Sequence, residues 1–278
     1  MNTTIATRAI QSKLSRYTHR LNYHFSKSKV KFIHQMIFGM LASGKVYLSE
    51  IGRSLGESIT LKKTTGRLSR HLGQAGLADE LMEANLSLQK RNLYQCNYLI
   101  WDGSDIEKVY AQKMEGLAHV WNGSEKKTTN GFWWSNIIGI KDDGRSIIPA
   151  YSELYSLDEE SSSENQKILK GIKAVHPMCR KDVITVFDRG CDRRILYEPF
   201  LDENIYFITR LKKKRDILYK GKRQNVHRLA SKIDKSFTIK GVSKKNNRLV
   251  TRTYQGGACR VACLMKKMTV LTKGICYG

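Results

Sequence analysis

The spacing of apolar residues divides the chain into a helical first third and a strand-rich remainder. Val30, Ile33, Ile37 and Leu41 recur at helical intervals and predict a core-facing helix over 28–42. Leu48, Ile51 and Leu55 predict a shorter helix that Gly56 ends. Thr60 is placed to cap a third helix over 61–72. At 100° per residue, Leu61, Leu68 and Leu72 fall on one side of it and Lys63, Arg67 and Arg70 on the other. A helix, a glycine-containing turn and a second helix with an apolar back and a basic front fit helix-turn-helix geometry over 47–72. Gly66 in its middle costs about 1 kcal/mol relative to alanine.

Beyond residue 95 the period changes. Tyr98-Leu99-Ile100-Trp101 and Val183-Ile184-Thr185-Val186-Phe187 are short apolar runs that read as buried strands. Gly131 to Ile140 and Ser146 to Tyr155 predict two further strands, joined by a hairpin turn at Asp142-Asp143-Gly144-Arg145. Ile168, Ile172 and Val175 predict a helix that follows Ser161-Ser162-Ser163 and closes at His176-Pro177. A short polar helix interrupted by Pro199 and a strand over Ile205 to Thr209 complete an α/β arrangement with a mixed sheet. Trp121, Phe132, Trp133 and Trp134 lie in strand-forming sequence and are read as core rather than as platforms for bases. After Arg210, short stretches such as Phe237-Thr238-Ile239 and Leu249-Val250-Thr251 flank Lys244-Lys245-Asn246-Asn247-Arg248 and predict basic hairpins.

Charge sharpens this division. The 278 residues carry a formal net charge of +24, which calls for a polyanionic partner such as nucleic acid. The excess lies at the two ends: residues 1–95 hold 15 basic and 5 acidic side chains, and residues 205–278 hold 20 and 2. Residues 96–204 reverse the balance, with 14 basic and 18 acidic. Lys62, Lys63, Arg67 and Arg70 in the first flank, and Lys212, Lys213, Lys214 and Arg215 in the second, are the candidate contacts to DNA phosphates. Cys96, Cys179, Cys191, Cys259, Cys263 and Cys276 follow no disulfide or zinc-ligand spacing and are read as free thiols of a reducing compartment. The start shows no secretory signal, and no apolar stretch approaches the ~20 residues of a membrane span, so a membrane is not an expected partner.

The candidate chemistry lies in the acidic middle. Asp102 follows the first apolar run and Asp188 the second. Carboxylates at the carboxyl ends of strands sit where α/β folds expose their chemistry. Neighbouring strands lie roughly 4.8 Å apart, and paired catalytic metals roughly 3.5–4 Å apart. Two parallel neighbours would therefore let Asp102 and Asp188 share a divalent ion. An aspartate in that place also serves to start a turn or cap a helix.

Asp102-Gly103-Ser104-Asp105-Ile106 with Lys108, and the strand ending in Asp188-Arg189-Gly190 with Asp192 beyond, resemble the first two carboxylate motifs of bacterial insertion-sequence DDE transposases. That resemblance implies a ribonuclease-H-like core interrupted by a β-strand insertion. Its parts would be a helical DNA-binding region over 1–95, the first part of the core over 96–211, and a basic, incomplete insertion over 212–278. It implies that Asp102 and Asp188 are catalytic and metal-binding, two of three carboxylates that hold a pair of Mg²⁺ ions, with Mn²⁺ able to substitute. Asp105 is expected to cap or pair locally. Double-stranded DNA at transposon ends would be the partner, bound by a homodimer in a synaptic complex, in the bacterial cytoplasm at the nucleoid.

The family's third carboxylate, a glutamate in a Tyr-x2-Arg-x3-Glu-x6-Lys pattern, has no counterpart. The sole Tyr-x2-Arg runs from Tyr17 to Arg20 and has His24 in the glutamate's place, and residues 235–278 contain neither Asp nor Glu. Met265 to Gly278 shows no helical period or natural stop, so the chain is expected to be carboxyl-truncated and inactive alone. A non-catalytic DNA-binding remnant, or an inhibitor of transposition, is the competing expectation. A nuclease using Asp216 or Asp234 as third ligand is a further one.

Overall fold

A computed structural model describes residues 3–157, 163–209, 212, 214, 216–219, 222–225, 228, 236–245, 248–265 and 268–276. The chain forms two compact units, residues 1–88 and 89–278. The division falls inside a helix.

The first unit is helical: α1 (Thr3–Leu21), α2 (Lys27–Ser43), α3 (Leu48–Ser54), α4 (Leu61–Leu72) and the first part of α5 (Leu77–Tyr94). Ser26 caps α2 by accepting from the Lys29 amide, and Gly44, at φ +66°, ends it in the left-handed conformation. Leu21, Phe32, Ile33, Ile51, Leu68 and Leu77 form its core. Leu41, expected to face that core, is instead 60% exposed. The helices meet closely because two contact positions lack side chains. A Cβ on Gly39 of α2 would overlap Ile51 Cγ2 of α3, and one on Gly52 of α3 would lie 2.9 Å from Leu61 Cδ1 of α4.

The second unit is built on a six-stranded mixed sheet. Its strands are β1 (Cys96–Glu107), β2 (Ala118–Asn122), β3 (Lys127–Lys141), β4 (Ile147–Tyr155), β5 (Ile184–Phe187) and β6 (Tyr206–Thr209). The order is β2-β3-β1-β5-β6, with β4 also paired to β3. β3 is antiparallel to β1, β2 and β4, whereas β1, β5 and β6 run parallel. The crossovers between the parallel strands carry α6 (Glu164–Val175) and α7 (Arg194–Asp202). Ile168, Ile172 and Val175 of α6 are buried as their spacing predicts, and Ser163 caps the helix by accepting from the Gln166 amide. The α/β fold class, with a mixed sheet and a helical amino-terminal part, is therefore as expected.

Three strand expectations are corrected. β1 does not stop at Asp102 but continues to Glu107, because β3 offers its residues an unbroken antiparallel partner that overrides the turn preference of Gly103-Ser104-Asp105. β2 was not anticipated. Among the strand aromatics, Trp121 and Trp134 are exposed, 53% and 38%, rather than core.

Further along lie β7 (Asp216–Tyr219) paired with β8 (Lys222–Asn225), and an antiparallel sheet of β9 (Ser236–Lys245), β10 (Arg248–Met265) and β11 (Met268–Cys276). Lys245 pairs with Arg248 at the end of the β9–β10 ladder, and residues 246–247 of the predicted basic segment lie outside the described residues. No described helix is long and apolar enough to cross a membrane.

Candidate active site

Alternation along β1 places Leu99 and Trp101 in the core and turns Ile100 and Asp102 to the opposite face. β5 runs parallel beside it, with Ile100 level with Val186, and Asp188 follows immediately after the end of β5. On the other side of β1, Asp102 pairs with Asn136 and Ile100 with Ile138. These three strands bound a cavity of about 450 Å³. Ile100, Ile138 and Val186 give it an apolar floor, and Asn136, Asp102 and Asp188 supply its polar groups. Three oxygen-bearing side chains, from β3, β1 and the residue after β5, thus line one cavity.

The strands that carry them are fixed from the opposite face. Trp101 donates through Nε1 to the Ser135 hydroxyl (2.8 Å) in the core and lies 6.3 Å from the Phe187 ring. Phe187 in turn stacks on Phe200 of α7 at 5.3 Å. Both residues immediately before or beside an aspartate are therefore immobilised aromatics, which limits how far the carboxylates can stray.

Asp188 is further constrained by its turn. The Gly190 amide donates to its Oδ1 (2.8 Å), and the Thr209 hydroxyl donates to its carbonyl (3.0 Å). Arg193 closes the turn: Nε donates to the Gly190 carbonyl (2.9 Å), Nη1 to Asn165 Oδ1 (2.9 Å), and Nη2 pairs with Glu164 at 2.5 Å. The Cys191 thiol beneath is pushed up to about 12, first by burial and then by the charges of Asp188 and Glu164. Asp188 thus also performs the capping role that its sequence position allows. Asp102, by contrast, is exposed and makes no side-chain hydrogen bond among the described residues.

The other acidic candidates lie elsewhere. Asp105 alternates to the face opposite Asp102. Asp192 is buried, accepting from Tyr197 Oη (2.6 Å) and the Lys212 amide (2.7 Å). Asp216 starts β7 and does not line the cavity, and Asp234 lies outside the described residues. Among the described residues no three His, Cys, Asp or Glu side chains form a metal-binding group. Asn136 is the site residue that sequence reasoning missed. A polar residue between Trp134 and Ile137 in a predicted strand was its signal, but its alignment with Asp102 is a matter of register.

The basic candidates divide. Lys62, Lys63 and Arg70 are exposed on α4, and Lys212 and Lys214 are exposed in the second unit. Lys213 and Arg215 lie outside the described residues. Arg67 contradicts its expected place on the outer basic face. Its Nη2 grips both oxygens of Glu57 (2.8 and 2.7 Å), and its Nη1 donates to Gln35 Oε1 (3.0 Å). Thr64, buried in α4, donates to the same carboxylate (2.9 Å). Burial works to raise the Glu57 pKa, but the Thr64, Gln35 and Arg67 interactions together hold it below the ordinary carboxylate range. The buried side of α4 runs through Thr64 and Leu68 toward His71, which stacks on Phe32 at 4.9 Å, and Leu72 is left 46% exposed.

No protein-family model matches this chain, and no curated protein matches it. Solved structures that it resembles include the piggyBac transposase synaptic complex with hairpin DNA, at 13% identity and a TM-score of 0.38, over 69% of this chain and 43% of that one. The Mos1 strand transfer complex matches at 14% identity and 0.26, over 63% and 56% of the two chains. The Drosophila P element transposase strand transfer complex matches at 8% identity and 0.22, over 80% and 56%. The chain spans about half the length of these proteins. At such scores the likeness decides nothing about chemistry, which rests on the side chains above.

Proposed function

We propose that this chain is a DNA transposase of the DDE class, acting by metal-dependent phosphoryl transfer at the ends of a DNA element. The observation that carries the reading is that Asp102 on β1 and Asp188, directly after the neighbouring parallel strand β5, line one cavity. The site fits the implied metal by the chemistry of its donors: two carboxylates and an amide carbonyl are hard oxygen ligands of the kind Mg²⁺ and Mn²⁺ take, and no thiol or imidazole lines the cavity. Asp102 and Asp188 would hold the metal. When bound, such ions activate a water or a DNA 3′-hydroxyl and stabilise the leaving oxygen. The protein's own part is to hold both carboxylates in place, through the aromatic layer under β1 and β5 and the Arg193-braced turn. Lys62, Lys63 and Arg70, with the lysines from Lys212 onward, would neutralise DNA phosphates. The ribonuclease-H-like ancestry of the sheet, the insertion-sequence origin, the bacterial setting and the synaptic homodimer belong to the same proposal.

A second reading is favoured by one observation: the cavity supplies two carboxylates, where the DDE chemistry uses three. On that reading the chain binds transposon-end DNA without cutting it, as a remnant or an inhibitor. The purified chain, incubated with Mn²⁺ or Mg²⁺ and a terminal-repeat duplex, separates the two. Nicking that disappears in Asp102→Ala supports the enzyme, and binding without nicking supports the remnant. Absence of both duplex binding and Mn²⁺ binding would sink the proposal.

A further inference from the structure

Gly66 occupies the middle of α4, where glycine is the costliest residue after proline. The other glycines of the helical unit that lie inside helices have a packing reason, since a Cβ on Gly39 or Gly52 would run into Ile51 or Leu61. Gly66 has none: it is exposed, and a Cβ there would meet nothing within 4 Å. The fold of the free protein therefore leaves room for a side chain that is absent. The surroundings show what the space suits. At 100° per residue, Lys62, Lys63, Ser69 and Arg70 share an arc of about 120° with Gly66 near its centre. All four are exposed, and Arg70 Nε lies 3.4 Å from the Gly66 carbonyl. Arg67, the one basic residue at the margin of this arc, is withdrawn to Glu57 and so does not crowd it.

We propose that this face of α4 seats on a DNA duplex, with Gly66 as the point where helix backbone and DNA come closest. Lys62, Lys63 and Arg70 pair with phosphates around it, and Ser69 adds a neutral hydrogen-bonding group. The bare backbone lets the helix axis approach by the depth of a side chain, which brings the short-range contacts of its neighbours into reach. The inference rests on the reading of this chain as a DNA-binding protein and adds to it the face, the closest point and the exclusion of Arg67.

The test uses the full chain and a fluorescein-labelled 24-base-pair duplex of mixed sequence. Gly66→Ala, free of clashes in the unbound protein, should raise the melting temperature of the helical unit while weakening duplex binding several-fold. Gly66→Leu should weaken it by roughly tenfold or more. Binding by the basic residues of the second unit could mask that loss, so acetylation of Lys62 and Lys63 by an N-hydroxysuccinimide ester is read by mass spectrometry beside anisotropy. Duplex should protect both lysines in the native chain, and Gly66→Leu should abolish that protection. Bound duplex with Lys62 and Lys63 acetylated at the unbound rate would overturn the inference and leave the DNA reading standing. Protection unchanged in Gly66→Leu would overturn it as well. A native chain that binds no duplex would instead remove the DNA reading itself.

Discussion

Glu57 in the helical unit and Asp102 in the sheet unit are both acids beside a basic or polar neighbour, yet they are held in opposite ways. Glu57 is saturated by Thr64, Gln35 and Arg67 Nη2, which bonds both of its oxygens, so nothing of its charge is left to offer a ligand. Asp102 stands exposed at a cavity beside a second carboxylate, with no side-chain hydrogen bond among the described residues. Together the two carboxylates offer a cation hard oxygen donors at one cavity. An acid that is fully partnered serves the fold, and one left open beside another serves something that binds. The same distinction separates Arg67 from Lys62 and Lys63 among the bases.

The contrast is broken most sharply at the sheet. Asp102→Ala should lower Mn²⁺ affinity by about 100-fold or more, read by electron paramagnetic resonance of the free ion. Because Asp102 is exposed and unbonded, the melting temperature should hardly change. A variant that still binds Mn²⁺ as the native chain does would make Asp102 an ordinary surface acid.

Next in size is the fold-serving pair. Arg67→Ala leaves Glu57 partly buried without its charge partner and should destabilise the helical unit by about 2 kcal/mol, read as faster amide exchange in α4. The pair also sets an acid limit. Glu57 is depressed in the folded state, so its contribution is complete above its unfolded pKa and is lost as pH falls through the lower folded value. Arg67→Ala should flatten that acid loss; an unaltered acid transition would mean that the pair does not govern it.

A smaller effect tests the neutral member of the site. Asn136→Ala should weaken Mn²⁺ binding by roughly tenfold, and Asn136→Asp should strengthen it by adding a third carboxylate. Calorimetry that shows neither change would take Asn136 out of the site.

These residues differ in how far they were legible beforehand. Gly56, at φ +58°, follows the end of α3 as a left-handed glycine does, and Thr60 precedes α4 in extended backbone, although its side chain makes no capping hydrogen bond. Asp102 and Asp188 were legible as candidates, since each follows an apolar run. That the two line one cavity, and that Asn136 joins them, depends on which strands pair and in what register, which no local pattern contains. Arg67 was misplaced for a related reason. Helical periodicity sorted it with Lys63 by angle alone, but its angle lies at the margin of the buried arc, and only Glu57 from the preceding turn and Gln35 from α2 decide which way it turns. Leu72 erred in reverse: periodicity placed it with Leu68, whereas the buried side runs to His71.

The smallest expected effect compares the two kinds of base directly. Each phosphate contact releases counterions and steepens the fall of affinity with salt. Lys63→Ala should therefore reduce the slope of log affinity against log salt by about one. Arg67→Lys keeps a positive charge for Glu57 but forfeits the forked grip, since an ammonium offers no planar pair of donors. It should loosen α4 while leaving the salt slope unchanged, because the Arg67 guanidinium is engaged by Glu57 and Gln35. Anisotropy titrations at four salt concentrations separate the variants. A slope lowered equally in both would place Arg67 at the DNA and erase the division between partnered and open charges on this helix.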